Sequence, residues 1–436
     1  MSDGAMWFTM DHSPIRKGSI VVFDRWLHRL GGNRAVLALS IARMADALGN
    51  SMIIIVIPLF VAEVANPLFG LPTPVLVGLL ISSFGIVTSL AQPVAGAASD
   101  WIGRRKPFIQ IGLVLMTLGS LAFILATQYV EVLAIRAIQG IGVALTVSAS
   151  VGLMAMITQK ATRGGAMGIF TTFRMIGFAL GPLVGGVLHV QVGFNAVFIV
   201  GATLIGLSTL VVQIWVHDVR VEANEADRGT FRLFNRELWT PAFLALGFAT
   251  FLMAASFSMM TTLENEFNAR LNQTTVGFSI AFSALVVSRL LLQMPFGRLS
   301  DRIGRKPLIL GGLALMAPAT ALLGEVVSTF QLTGLRLLQG VAAAAIAAPA
   351  FAVAADMSSA GGEGRQMTII TMGFTTGLAL GPLSAGLLAV VFFQLPFFVA
   401  GALTLVGIWI VHRFVPETVQ RTPGVGPDSP DADWID

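Results

Sequence analysis

Apolar residues in this chain gather into long blocks, and the polar stretches between them are mostly short. The blocks lack the two-residue alternation of a half-buried strand, so their length reads as helix. Twelve stand near 36–63, 74–98, 108–127, 131–157, 166–188, 195–216, 239–262, 274–298, 308–327, 331–356, 366–388 and 394–414. Each is close to or beyond the roughly 20 residues that carry a helix across a bilayer. Hydrocarbon offers the backbone no hydrogen-bond partner, which leaves helices or a closed barrel, and runs of this length favour helices. The pattern predicts an all-α membrane protein with twelve transmembrane helices.

Composition strengthens that reading. The 436 residues are 55% hydrophobic and 11% charged, against about 25% charged in soluble domains, and the mean hydropathy is +0.81. With no cysteine, the chain has no disulfide, thiolate metal site or cysteine nucleophile. His12, His28, His189, His217 and His412 are scattered and form no ligand pair. Neither a G-x-x-x-x-G-K-[ST] loop nor an H-E-x-x-H helix occurs. An enzyme, a cofactor and a nucleic-acid partner therefore have no local support.

Charge placement sets the expected orientation. Loops at 99–107, 158–165, 217–238, 299–307 and 357–365, with both flanking segments, hold nearly all Lys and Arg outside the spans. The opposite loops hold Arg270 beside Glu63, Glu131, Glu264, Glu266 and Glu325. Basic loops stay cytoplasmic, so both termini are expected in the cytoplasm of a cell membrane. The expected organisation is an arm at 1–35, six spans over 36–216, a linker at 217–238, six spans over 239–414 and a tail at 415–436. Phe23–Leu30 is a candidate surface helix, although a solvated arm reads equally well. The proline-bearing tail is too polar to pack and is expected to be disordered.

The chain repeats itself at about two hundred residues. Gly96-Ala-Ala-Ser-Asp100-Trp-Ile-Gly103-Arg104-Arg105-Lys106-Pro107 returns as Gly297-Arg-Leu-Ser-Asp301-Arg302-Ile-Gly304-Arg305-Lys306-Pro307. Arg136-Ala-Ile-Gln139-Gly140 returns as Arg336-Leu-Leu-Gln339-Gly340, and Gly177-Phe-Ala-Leu-Gly181-Pro182 as Gly377-Leu-Ala-Leu-Gly381-Pro382. A duplicated six-span unit implies a substrate site between two halves, opened alternately to either side.

With these motifs the chain resembles the major facilitator superfamily over nearly its whole length. G-x-x-x-D-[RK]-x-G-R-[RK] between spans two and three is that family's signature; the second copy fits fully, and the first has Trp101 at a usually basic position. The resemblance implies a fold of two pseudo-symmetric six-helix bundles that works as a monomer. It also implies that Gly96, Asp100, Arg104 and Arg105, with Gly297, Asp301, Arg302 and Arg305, latch the cytoplasmic side when the outside is open. Asp356 is placed to join Arg302 or Arg305, whereas its counterpart in the first half is Met156.

Ionisable residues within spans are functional candidates by default, and here they are Arg43, Asp46, Arg136, Arg174, Arg289 and Arg336. Asp46 is the only acid well inside a span, about 15 Å along its helix at 1.5 Å per residue. It either loads and releases a proton as its exposure changes, or forms a fixed pair with Arg43 or another buried arginine. Its surroundings resemble the first span of drug–proton antiporters of the tetracycline-efflux and vesicular-amine kinds, with Pro58 kept and Ile55 in place of an earlier proline. Arg136 resembles the family's R-x-x-Q-G element implicated in proton coupling, or else caps carbonyls of span one near Gly49. Arg336 reads as structural. Gly168, Gly177, Gly181, Pro182, Gly185 and Gly186 match the family's antiporter motif, expected to seal the outer side against span eight, with Arg174 near the same face.

Cargo is weakly marked. Met253, Phe257, Met260, Phe278 and Phe282, with Gln92, Gln293 and Arg289, are the cavity candidates, although most such residues face lipid or neighbouring helices. The leading expectation is proton-driven export of lipophilic or cationic compounds through the bilayer. The alternative is a facilitator or exporter of a polar metabolite or sugar, recognised by the buried arginines and glutamines.

Overall fold

The computed structural model describes residues 34–64, 70–158, 162–216, 240–357 and 363–418. The arm at 1–33 with its candidate surface helix, the linker at 217–238 and the tail beyond 418 lie outside the described residues. So does the side chain of Asp100.

Among the described residues the chain forms thirteen α-helices: α1 (Arg34–Val64), α2 (Thr73–Ile102), α3 (Lys106–Ala122), α4 (Tyr129–Ile157), α5 (Arg163–Val192), α6 (Phe194–Trp215), α7 (Pro241–Thr262), α8 (Glu264–Leu271), α9 (Thr275–Ile303), α10 (Arg305–Ala321), α11 (Thr329–Asp356), α12 (Glu363–Ala389) and α13 (Leu395–Phe414). Twelve of them are long and apolar enough to span a membrane; the exception is the eight-residue α8. The sequence expectation holds to within a few residues at most ends. Two differences matter. Helices α2 and α9 continue through the repeated motif, so that Gly103 and Gly304, both at positive φ, make the turns into α3 and α10. The connection at 263–273, expected as a loop, is mostly helix.

Each half has its own apolar cores. In one, Leu39, Ile109, Leu113, Leu153, Phe170 and Val212 pack together, and Ile53, Ile57, Leu80, Phe123 and Phe198 form a second cluster. Residues of α7, α10, α11, α12 and α13 form the matching core in the other half. A fourth cluster joins the halves, bringing Ile55 and Ala179 against Met260, Phe267, Phe278 and Phe282.

The halves meet closely at one end. Helix α5 packs on α9, where Ser283 Oγ donates to the Ala179 carbonyl at 2.7 Å and a Cβ at Gly186 would lie 2.4 Å from Ser279 Oγ. Helix α12 packs on α2, where the Leu383 amide donates to Ser82 Oγ at 3.0 Å and a Cβ at Gly386 would meet the Pro74 carbonyl at 2.3 Å. Small residues let these backbones approach. All four contacts lie in the part of each helix remote from the signature motifs. Toward the motif end, Gly168 has nothing within 4 Å, and Leu90, Val94, Leu291 and Met294 are exposed. The bundle is sealed at one end and parted at the other.

Candidate functional site

Asp46 is 2% exposed and pairs with Arg43, three residues earlier on α1. The two line a small internal cleft with Leu39, Ile109, Leu113, Thr146, Ser150 and Val212. The pair therefore faces α3, α4 and α6 of its own half, with the Thr146 and Ser150 hydroxyls as polar lining. Asp46 Oδ1 and Arg43 Nε have no hydrogen-bond partner among the described residues. Arg174 on α5 lies within electrostatic reach of Arg43, Asp46 and Arg289, and Arg289 belongs to α9 in the other half. One acid and three arginines, drawn from both halves, thus gather midway along their helices. Neither Arg174 nor Arg289 forms an ion pair with a described residue.

Among the described residues Arg136 makes no contact with Asp46 or with a carbonyl of α1. Its guanidinium donates to Gln139 Oε1 at 3.3 Å, and Gln139 Nε2 reaches Ser120 Oγ at 3.1 Å. The rings of Phe84 and Phe123 stand 5.4 and 5.6 Å from it. Arg336 copies this in the second half through Gln339 (2.8 Å) and Thr320 (2.9 Å). It alone reaches a helix carbonyl, that of Phe257 on α7 at 3.4 Å. The helix-bracing role expected of Arg136 thus falls to its repeat.

The glycines of α5 face two ways. Added Cβ atoms at Gly177, Gly181 and Gly185 would meet Met44, Leu48, Ser51 and Met52 of α1, within the same half, and only Gly186 meets α9. Sequence reading had aimed the whole motif at the other half. Ser51 Oγ donates to the Gly177 carbonyl at 3.4 Å, and Ser258 repeats this with Gly377 at 3.3 Å.

The cavity candidates divide. Met253, Met260 and Phe278 are fully packed in apolar cores rather than bordering the parted region, because α7 and the sealed end of α9 are central to their half. Phe257 and Phe282 remain at the interface, where their rings lie 6.3 and 6.0 Å from Phe178 of the first half. Arg289 lies 5.5 Å from the Phe374 ring, and Gln293 one turn on has a buried Oε1 without a partner. Phe178 and Phe374 escaped sequence reading. Each sits in a glycine-rich span, where the spacing of small residues drew attention from single aromatics.

At the motif end, Arg305 pairs with Asp356 and lies 3.4 Å from Asp301. Glu417 accepts from the Arg305 and Lys306 amides at 3.0 and 3.1 Å, capping α10. Carboxylates favour helix N-termini, so the start of the expected disordered tail is docked. Every one of these contacts stays within the second half. Arg302 is exposed there. In the first half Lys106 Nζ reaches the Gln213 carbonyl at 2.9 Å, as Lys306 reaches that of His412 at 2.7 Å. The Arg105 guanidinium lies against Gly152.

Twelve helices long and apolar enough to span a membrane, in two pseudo-symmetric bundles parted at one end around buried charge, define a multi-pass membrane protein. The sequence profile of the Major Facilitator Superfamily matches residues 39–291 and 242–432, and the chain belongs to that family. It is 25% identical over 327 residues to an uncharacterized MFS-type transporter of Methanocaldococcus jannaschii, covering 72% of this chain and 82% of the relative. A multi-drug resistance efflux pump PmrA homolog of Lactococcus lactis is 24% identical, with 72% and 78% covered. Among solved structures, a bacterial homolog of the human lysosomal transporter Spinster, in an inward-facing and occupied conformation, superposes with a TM-score of 0.72 at 14% identity. That match covers 87% of this chain and 95% of the other.

Proposed function

We propose that the chain is a proton-coupled antiporter that exports lipophilic small molecules by alternating access. The observation that carries this reading is Asp46, a carboxyl 2% exposed, held by Arg43 and within electrostatic reach of Arg174. A carboxylate in that setting exchanges a proton for its arginine contact when solvent reaches it. The basic loops put the parted end in the cytoplasm, so the described conformation is the one that takes up cargo from inside. Phe178, Phe257 and Phe282 give that cargo an apolar ceiling. The Lactococcus relative, an efflux pump homolog by name, supports export.

The test is transport by purified protein in vesicles with an imposed pH gradient. Asp46→Asn is expected to abolish gradient-driven flux while leaving cargo binding measurable. Flux equal to the unsubstituted chain under the gradient removes the coupling claim.

A second reading has its own observation, that Arg174 and Arg289 have no ion pair among the described residues. Two cations facing each other from the two halves suit an anionic metabolite moved by facilitation. The two readings differ in sign. Cargo that competes with Asp46's proton binds more tightly as pH rises, whereas an anion that competes with the Asp46 carboxylate for the arginines binds more tightly as pH falls. Binding measured at two pH values separates them.

A further inference from the structure

The sealed end contains a second buried acid that the transport reading does not use. Glu264 opens α8, the short helix between α7 and α9, and is 0% exposed. Neither carboxylate oxygen meets a donor in good geometry among the described residues. Burial pushes its carboxyl well above the usual range, and the Asn268 side chain one turn on offsets this only in part.

Among the described residues its surroundings bring it no ion-pair partner, and the buried Arg336 of α11 is engaged with Gln339 and the Phe257 carbonyl. Helix α7 has no charged residue, α1 brings only Glu63 to this end, and the sealed half of α9 has none before Arg289, fourteen residues in. On α8 itself stand Glu266, also raised by burial, and Arg270, whose guanidinium lies 3.9 Å from the Phe393 ring. The connection at 390–394 has no charge, and the sealed end of α5 has only His189. An ionised carboxylate buried without a partner is strongly disfavoured, which favours the protonated form of Glu264 while it stays buried.

Its helix also holds the halves together. The residue next to it, Asn265, donates from Nδ2 to the Pro58 carbonyl of α1, in the other half, at 2.9 Å. Phe267 packs in the cluster that joins Ile55 of α1 to Phe278 of α9. Parting the sealed end must lift α8 off α1 and bring water to Glu264.

We propose that Glu264 is a proton-binding gate residue, protonated while this end is sealed and ionised when it opens. The sign follows from linkage. Glu264 binds its proton more tightly sealed than solvated, so low pH holds the gate shut. Above the ordinary glutamate pKa, about 4.3, the open-to-sealed ratio rises by up to about tenfold per pH unit until the sealed-state value is passed. Acidity on the outer side thus favours the form parted toward the cytoplasm. The proposal rests on alternating access but not on Asp46 or on any cargo.

The absence of native cysteine makes the test direct. Spin labels at Leu125→Cys and Val327→Cys, exposed positions at the sealed end of either half, report its opening in nanodiscs. The titration is run in an Asp46→Asn background, which removes the other buried acid of the spans. The expected result is an opened fraction that grows with pH, abolished by Glu264→Gln and kept by Glu266→Gln. A flat titration in the Asp46→Asn chain, or one that survives Glu264→Gln, overturns the proposal. Should Glu264→Gln not fold, Glu264→Asp must move the midpoint, and an unmoved midpoint is equally fatal.

Discussion

The two repeated arginines of the spans are each held by a glutamine, and the two halves differ in what else they supply. Arg136 and Arg336 each have a glutamine and two aromatic rings, and Arg336 has the Phe257 carbonyl in addition. Truncating a partner leaves the other group to bear its desolvation cost, about 1–3 kcal/mol. Gln139→Ala is therefore expected to lower the thermal midpoint more than Gln339→Ala, since Arg336 keeps a second acceptor. Equal shifts in a thermal-unfolding assay would show that the carbonyl contact contributes nothing. Sequence reading found both arginines through their repeated motif. It could not assign their partners, because a side chain of that length reaches several neighbours and only packing selects among them.

At the scale of the helix, α5 and α12 are built for close approach, and the spacing of their glycines was legible from the start. Which neighbour each glycine meets was not. A Cβ at Gly177 would stand 2.2 Å from the Met44 carbonyl, a backbone atom that cannot yield, whereas Gly168 has open space. Gly177→Ala is expected to cost about 1–3 kcal/mol, the usual range for overpacking, and Gly168→Ala to leave stability near its starting value. Comparing thermal midpoints of the two variants in detergent checks this. A glycine pattern marks faces that must be thin. The same pattern serves an interface within one half or between two, and the sequence does not distinguish them.

For the whole molecule, the sealed end includes two symmetric close approaches, Gly186 on α9 and Gly386 on α2. A large side chain at either must push the halves apart there while leaving each half's core intact. Gly186→Leu and Gly386→Leu are expected to shift the population toward the form open at this end. The readout is a longer label distance between Leu125→Cys and Val327→Cys at a fixed pH. Unchanged distances with normal folding would place the seal elsewhere.

The hydrophobic pattern by itself determined the class and the twelve spans, and the repeated motifs determined the twofold repeat. Span length and glycine spacing are local requirements of a helix in lipid, so they are written residue by residue. Asp46 was equally legible as a buried acid, because a lone carboxyl in an apolar block must find its partner inside the fold. The tertiary structure decided what each motif touches. It turned Asp46 toward its own half, kept the Arg305 and Asp356 pair within the second, and docked Glu417 on α10. It also made Glu264 a buried group. In sequence it is one acid among several in a polar connection, and burial depends on how α8 folds back between the halves. No stretch of sequence encodes that on its own, since it comes from contacts between residues some two hundred positions apart.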